Sequence, residues 1–219
     1  TASRIAARGK EIALTFDACG GKKGSAVDRE LLDFLRQERI PATLFLSGRW
    51  LAKNRETARE LAADPLFELA NHGAEHRPLS VTGRSAYGIP GTESASGAAR
   101  EVEANARLLE EITGKRPRYF RSGTNHYDEV AVRVAAELGH VTVSHSHNGD
   151  GGASYSQKKI ADGLLSLRGG EIVLFHMNRP EGRTAEGLKE ALPLLREKGF
   201  RFVKLGERPF VLEGGTPGP

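Results

Sequence analysis

Ile12-Ala13-Leu14-Thr15-Phe16-Asp17-Ala18-Cys19-Gly20-Gly21 is an apolar, β-favouring run that ends on a carboxylate, a cysteine and two glycines. It reads as a buried strand that delivers its last side chains into a site and then turns sharply. A charge at the end of an apolar strand is costly unless it is paired, metal-bound or solvated. Asp17 therefore either caps the following loop or belongs to a functional site.

Downstream the pattern repeats. A glycine and lysine loop at residues 20–24 precedes Leu31, Leu32, Phe34 and Leu35, which give a helical apolar face. Ala42-Thr43-Leu44-Phe45-Leu46 reads as a second strand, and residues 50–63 as one helix stopped by Pro65. Phe67-Glu68-Leu69-Ala70 reads as a third strand, ending on Asn71-His72-Gly73-Ala74-Glu75-His76. Residues 77–97 are rich in Gly, Ser, Pro and Thr without periodicity, which predicts a long irregular loop bordering the site. Val102, Ala106 and Leu109 mark the next helix, closed by Gly114 and followed by the strand Tyr119-Phe120 and then Arg121. A helix striped by Val130, Val134 and Leu138 precedes Val141-Thr142-Val143, and the polar run from Ser144 to Asp150 follows. Ile160, Leu164 and Leu167 mark a helix before Ile172-Val173-Leu174-Phe175, which delivers His176. The last helix carries Leu188, Leu192 and Leu195 and hands over to Phe202-Val203-Lys204-Leu205.

About seven strands alternating with about six helices predict a parallel α/β sheet, open or closed into a barrel. Function in such a sheet sits beyond the carboxyl ends of the strands. Asp17, His72, Arg121, Asp150 and His176 all fall at or just after expected strand ends.

Composition narrows the class. At 219 residues, with 38% hydrophobic and 27% charged residues of mixed sign, the chain suits one globular domain with a sizeable core. The net charge of +4 is scattered rather than clustered, which argues against nucleic acid and allows a mildly anionic polymer. No run has the length and apolarity of a membrane span. One cysteine excludes an intrachain disulfide and a cysteine-rich zinc framework. The first residues show no basic leader followed by an apolar stretch, which fits a mature or trimmed form and leaves the compartment open. The domain is expected to span residues 1–213, with residues 214–219 as a disordered tail.

His72 and His76, at i and i+4, bring two imidazoles within reach of one metal ion on a helical turn or a tight loop; otherwise they are two exposed histidines. Asp17 is the nearest carboxylate. His176 suits a general acid and Asp150 suits its partner, unless His176 is a buried histidine satisfied by backbone. Arg121 either pairs with Asp17, holding it ionised, or lies on the surface.

Thr15-Phe16-Asp17, the His72-x-x-x-His76 pair, Phe120-Arg121, Asn148-Gly149-Asp150 and Leu174-Phe175-His176 occur in the order of the motifs of the polysaccharide deacetylases, and the chain resembles that carbohydrate esterase family from about Lys10 to Lys204. The resemblance implies a single-domain distorted (β/α) barrel and metal-dependent removal of acetyl groups from an N-acetylhexosamine polysaccharide such as peptidoglycan or chitin. It implies Asp17 as general base, His72 and His76 as metal ligands, Arg121 orienting Asp17, His176 as general acid and Asp150 tuning it. The implied cofactor is a divalent metal, zinc or else cobalt, nickel or manganese. The implied partner is an N-acetylated glycan, and the implied location is periplasmic or secreted. A non-hydrolytic carbohydrate-binding domain and an amidohydrolase acting on a formylated sugar or cyclic ureide are the rival readings.

The chain departs from the family twice. Members carry a second aspartate after the first, as a metal ligand, and Ala18 stands here. The third ligand is then Asp17 itself, water, Asp150, Glu75, His147, or Cys19, whose side chain points to the Asp17 side of a continuing strand and whose thiolate would bind zinc well; the alternative for Cys19 is a small buried thiol. The proline and aromatic expected after the arginine are replaced by Ser122-Gly123-Thr124-Asn125-His126-Tyr127, so the substrate groove should differ.

Overall fold

The computed structural model describes residues 1–211. The expected tail at residues 214–219 lies outside them. In chain order the elements are β1 (Arg4–Ile5), β2 (Glu11–Ala18), α1 (Arg29–Gln37), β3 (Ala42–Leu46), α2 (Gly48–Leu51), α3 (Arg55–Ala63), β4 (Phe67–Asn71), α4 (Ala95–Thr113), β5 (Tyr119–Phe120), α5 (Glu129–Glu137), β6 (Val141–Thr142), β7 (His147–Asn148), α6 (Gln157–Leu165), β8 (Ile172–His176), α7 (Thr184–Glu197), β9 (Arg201–Val203) and β10 (Phe210–Val211).

The main sheet runs β6-β5-β4-β3-β2-β8-β7, with β9 also paired to β2, and its pairings are parallel. It curls into a single-domain α/β half-barrel of the expected class. The strand order ends at β6 and β7, and the N-terminal segment bridges from the end of β6 to the residues that lead into β8. Ala2 N–H donates to Thr142 O, Ser144 N–H to Ala2 O, and Ile5 N–H to Gly170 O. β1 and β10 form a small antiparallel ribbon.

The two faces of β2 explain its composition. Ile12, Leu14, Phe16 and Ala18 pack in the layer between sheet and helices, whereas Ala13 belongs to the cluster inside the barrel. Strand side chains alternate, so Thr15 and Asp17 share the inner face with Ala13. All eight residues of β2 are buried, as a parallel strand covered on both faces requires.

Two expectations are corrected. The single helix over residues 50–63 is two, α2 and α3, because Asn54 leaves the helical region at φ −134°, ψ 36°. Its amide Nδ2 donates to Trp50 O and Ser25 O, which fixes the break. The polar run after β6 contains a short strand, β7, which pairs with β8.

Candidate active site

Register does the assembling. Asp17 on β2 stands directly opposite His176 on β8, and Asn71 on β4 opposite Phe120 on β5, so His72 and Arg121 emerge side by side. The strand ends thus bring Asp17, His72, Arg121 and His176 together.

Arg121 is wholly buried. Its Nη1 donates to Asp17 Oδ1 at 2.8 Å and to Thr15 Oγ1 at 3.0 Å, its Nη2 donates to Ser144 O at 2.9 Å, and its plane lies 4.2 Å from the centre of the Phe45 ring. Burial alone would raise the Asp17 carboxyl, but the charges of His72, Arg121 and His176 outweigh it and hold Asp17 below its usual range. Asp17 Oδ2 is left 3.5 Å from His72 Nε2.

His72 Nδ1 donates to Arg121 O at 2.9 Å, which leaves the Nε2 lone pair as the free donor of the ring. His76 reaches the same place from a loop rather than a helical turn. Its backbone is left-handed at φ 60°, Gly73 turns the loop at φ 80°, and its ring meets that of His72 edge-on at 4.9 Å. His76 is nine-tenths buried, and its Nε2 has no hydrogen-bond partner among the described residues. Cys19 Sγ lies 3.8 Å from His72 Nε2, and one donor atom each of Cys19, His72 and His76 fall within 4.8 Å of one another. An orphaned buried nitrogen beside two further donors fits a metal ion. Burial would raise the Cys19 thiol, but the surrounding imidazoles of His176, His72 and His76 hold it well below its ordinary value.

Asp150 is fully buried and committed to His176. Its Oδ1 accepts from His176 Nδ1 at 2.9 Å, and its Oδ2 accepts from the His176 backbone N–H at 2.7 Å and from Thr184 Oγ1 at 3.0 Å. Burial would lower the His176 pKa, but the hydrogen bond to Asp150 and the neighbouring Cys19 thiol outweigh it and raise the imidazole well above its usual value. With both oxygens occupied, Asp150 is unsuited to be a metal ligand. Glu75 is exposed, and His147 lines a separate surface hollow with Gly163 and Asp162.

The site opens into a cavity of about 480 Å³ whose walls include Asp17, Cys19, His76, His176, Tyr87 and Tyr155. Tyr87 comes from the irregular loop, which borders the site as expected but ends at Ser94 rather than at residue 97, because Ser94 caps α4 and residues 95–97 form its first turn. Tyr87 is 83% exposed and left-handed at φ 52°. His145 also lines the cavity; burial, and then Arg121, pushes it down to about 4, so it is neutral near pH 7.

Two supporting residues were missed in the sequence reading. Glu101 on α4 accepts the backbone N–H groups of Glu75 and Arg77, and thereby holds the His76 loop. Asn105 Nδ2 donates to Leu46 O and Asn71 Oδ1, tying β3 to β4 just below His72. Their signal was available: both are polar residues on the buried face of α4 shared with Ala98, Val102, Ala106 and Leu109.

Over residues 4–143 the sequence matches the family model described as Polysaccharide deacetylase, and the chain belongs to that family. It is similar to a peptidoglycan-N-acetylglucosamine deacetylase of Bacillus cereus, 25% identical over 202 residues that cover 90% of this chain and 87% of that protein. It is also similar to YlxY of Bacillus subtilis, an uncharacterised protein, 23% identical over 192 residues that cover 84% of this chain and 53% of the relative, about half of its length. Among solved structures, BA3943 of Bacillus anthracis, described as a CE4 family pseudoenzyme, has the same fold at a TM-score of 0.77 and 22% identity, over 94% of this chain and 67% of that one.

Proposed function

We propose that this chain is a metal-dependent hydrolase that removes N-acetyl groups from an N-acetylhexosamine polysaccharide, peptidoglycan-like or chitin-like, outside the cytoplasm. One observation carries the reading. A carboxylate held ionised by Arg121 and a histidine held by Asp150 face each other across β2 and β8, beside two imidazole Nε2 donors. That is a base, an acid and a cation cradle in one cavity.

His72 and His76 would hold a divalent ion, zinc or else cobalt, nickel or manganese. Such an ion polarises an amide carbonyl and lowers the pKa of a coordinated water to about 7. Asp17, ionised and fixed through Oδ1, takes a proton from the attacking water on its free Oδ2 as the water oxygen bonds to the acetyl carbon. His176 Nε2–H then gives its proton to the glycosamine nitrogen as the C–N bond breaks, releasing acetate and a free amine. Asp150 keeps the proton on the cavity side of the ring by accepting from Nδ1. The exposed ring of Tyr87 and the half-buried ring of Tyr155, both lining the cavity, suit the faces of sugar rings.

Ala18 and the likeness to a pseudoenzyme favour a second reading, glycan binding without hydrolysis. Acetate release from N-acetylglucosamine oligomers separates them. Release that chelator abolishes and zinc restores supports the deacetylase; oligomer binding that Asp17→Asn leaves unchanged, with no release under any divalent ion, supports the binding module. No helix among the described residues is long and apolar enough to cross a membrane.

A further inference from the structure

Position 18, where the resemblance implies a metal-binding carboxylate, is a fully buried alanine packed in the layer facing the helices. A methyl group there offers no donor. The next residue, Cys19, leaves the strand on the inner side shared with Asp17, and its backbone is pinned from both directions. Ser47 Oγ donates to Cys19 O at 2.8 Å, and Ser47 N–H donates to Ala18 O at 3.2 Å. The chain then turns at Gly20, whose φ is 76° and where a Cβ would overlap the Arg49 and Trp50 backbone. The thiol is thus placed by the fold rather than left to swing.

Two further observations point to a ligand at that thiol. A tetrahedral zinc with Zn–S about 2.3 Å and Zn–N about 2.05 Å sets its sulfur and nitrogen about 3.6 Å apart. Cys19 Sγ and His72 Nε2 are 3.8 Å apart. Independently, the nine-tenths buried His76 directs an unpartnered Nε2 into the same space. The other candidates are accounted for. Asp150 is saturated by His176 and Thr184, Glu75 is exposed, His147 lies in another hollow, and Asp17 has one oxygen held by Arg121.

We propose that the third protein ligand is the Cys19 thiolate, which makes this a His₂Cys centre selective for thiophilic ions such as zinc and cadmium over manganese and magnesium. The donor moves one residue along the chain and changes from oxygen to sulfur, and Asp17 stays free for proton transfer. A soft thiolate favours zinc, whereas a carboxylate suits the harder ions. The inference deepens the metal-dependent reading above and rests on it for the fourth, open position.

The protein has one cysteine, so every thiol signal belongs to this site. In cobalt-loaded protein, a cobalt–thiolate ligand gives an intense near-ultraviolet charge-transfer band, and equimolar zinc slows alkylation of Cys19 by iodoacetamide. Both are expected in the unmodified chain. Cys19→Ser should lose the band and weaken zinc binding beyond the 10–100-fold range, roughly, that loss of an outer-shell partner costs. Cys19→Asp should bind cobalt without the band and lose the preference for zinc over manganese. Bound cobalt without the band, or alkylation at the same rate with and without zinc, overturns the proposal even if the variants fail to fold. The spectrum needs no turnover. A band without acetate release sinks the deacetylase reading and keeps Cys19 as ligand; metal-dependent acetate release without a band does the reverse.

Discussion

Arg121 and Asp17 are buried together, and neither charge tolerates losing the other. Removing one partner of a buried pair leaves an uncompensated charge, at a cost of about 3–5 kcal/mol. Arg121→Leu is therefore expected to lower unfolding free energy by about that much in denaturant titration, and adding Asp17→Asn should recover part of the loss. If the double variant is less stable than the single by the full Asp17→Asn effect, the two residues are not coupled. Asp17→Asn alone should reduce kcat by about 10²–10⁴, the usual worth of a general base, with metal content unchanged. Loss of the metal in that variant would instead place Asp17 among the ligands.

Among the elements, the loop after β4 deserves the closest test, since it carries His76 with little secondary structure to hold it. A Cβ on Gly123 would overlap the backbone of His76. Gly123→Ala is expected to push that loop outward and weaken zinc binding by tenfold or more, roughly, while the circular dichroism spectrum stays that of the parent. Unchanged zinc affinity would show that His76 does not need its observed position. This part of the chain also marks where sequence reading stops. The run Leu14-Thr15-Phe16 announces its strand through local composition, and so do most helices through their apolar spacing. The break at Asn54 depends on an amide reaching Ser25, and the service of Glu101 and Asn105 depends on how α4 lies against β4. Those partners are distant in sequence, and no local period encodes them.

Across the whole molecule, the alternation of strands and helices was legible because parallel sheets impose it, and the polar strand ends were legible because such sheets work there. The bridge made by Ala2 and Ile5 was not, since it rests on backbone bonds indifferent to side chains. Stability has a pH signature of its own. His140 is buried against Phe120, with neither ring nitrogen hydrogen-bonded among the described residues. Burial, and then Arg116, pushes it down to about 4 from an ordinary 6.5. The unfolded chain therefore binds this proton more readily than the folded one, so the stability present above pH 6.5 is lost as pH falls toward 4. The loss from this group should be on the order of 2 kcal/mol. His140→Leu should flatten the fall between those pH values in thermal or denaturant melts; an identical slope in both proteins would remove His140 from the account.

The proposal that Asp17, His72, His76, Arg121, Asp150 and His176 together form a metal-dependent deacetylase is tested most directly by the acetate that stripped and zinc-reloaded protein releases from N-acetylglucosamine oligomers. The account predicts no release from the stripped protein, release on stoichiometric zinc, and loss of that release in Asp17→Asn. Protein that holds one zinc per chain and binds the oligomers yet frees no acetate would contradict it.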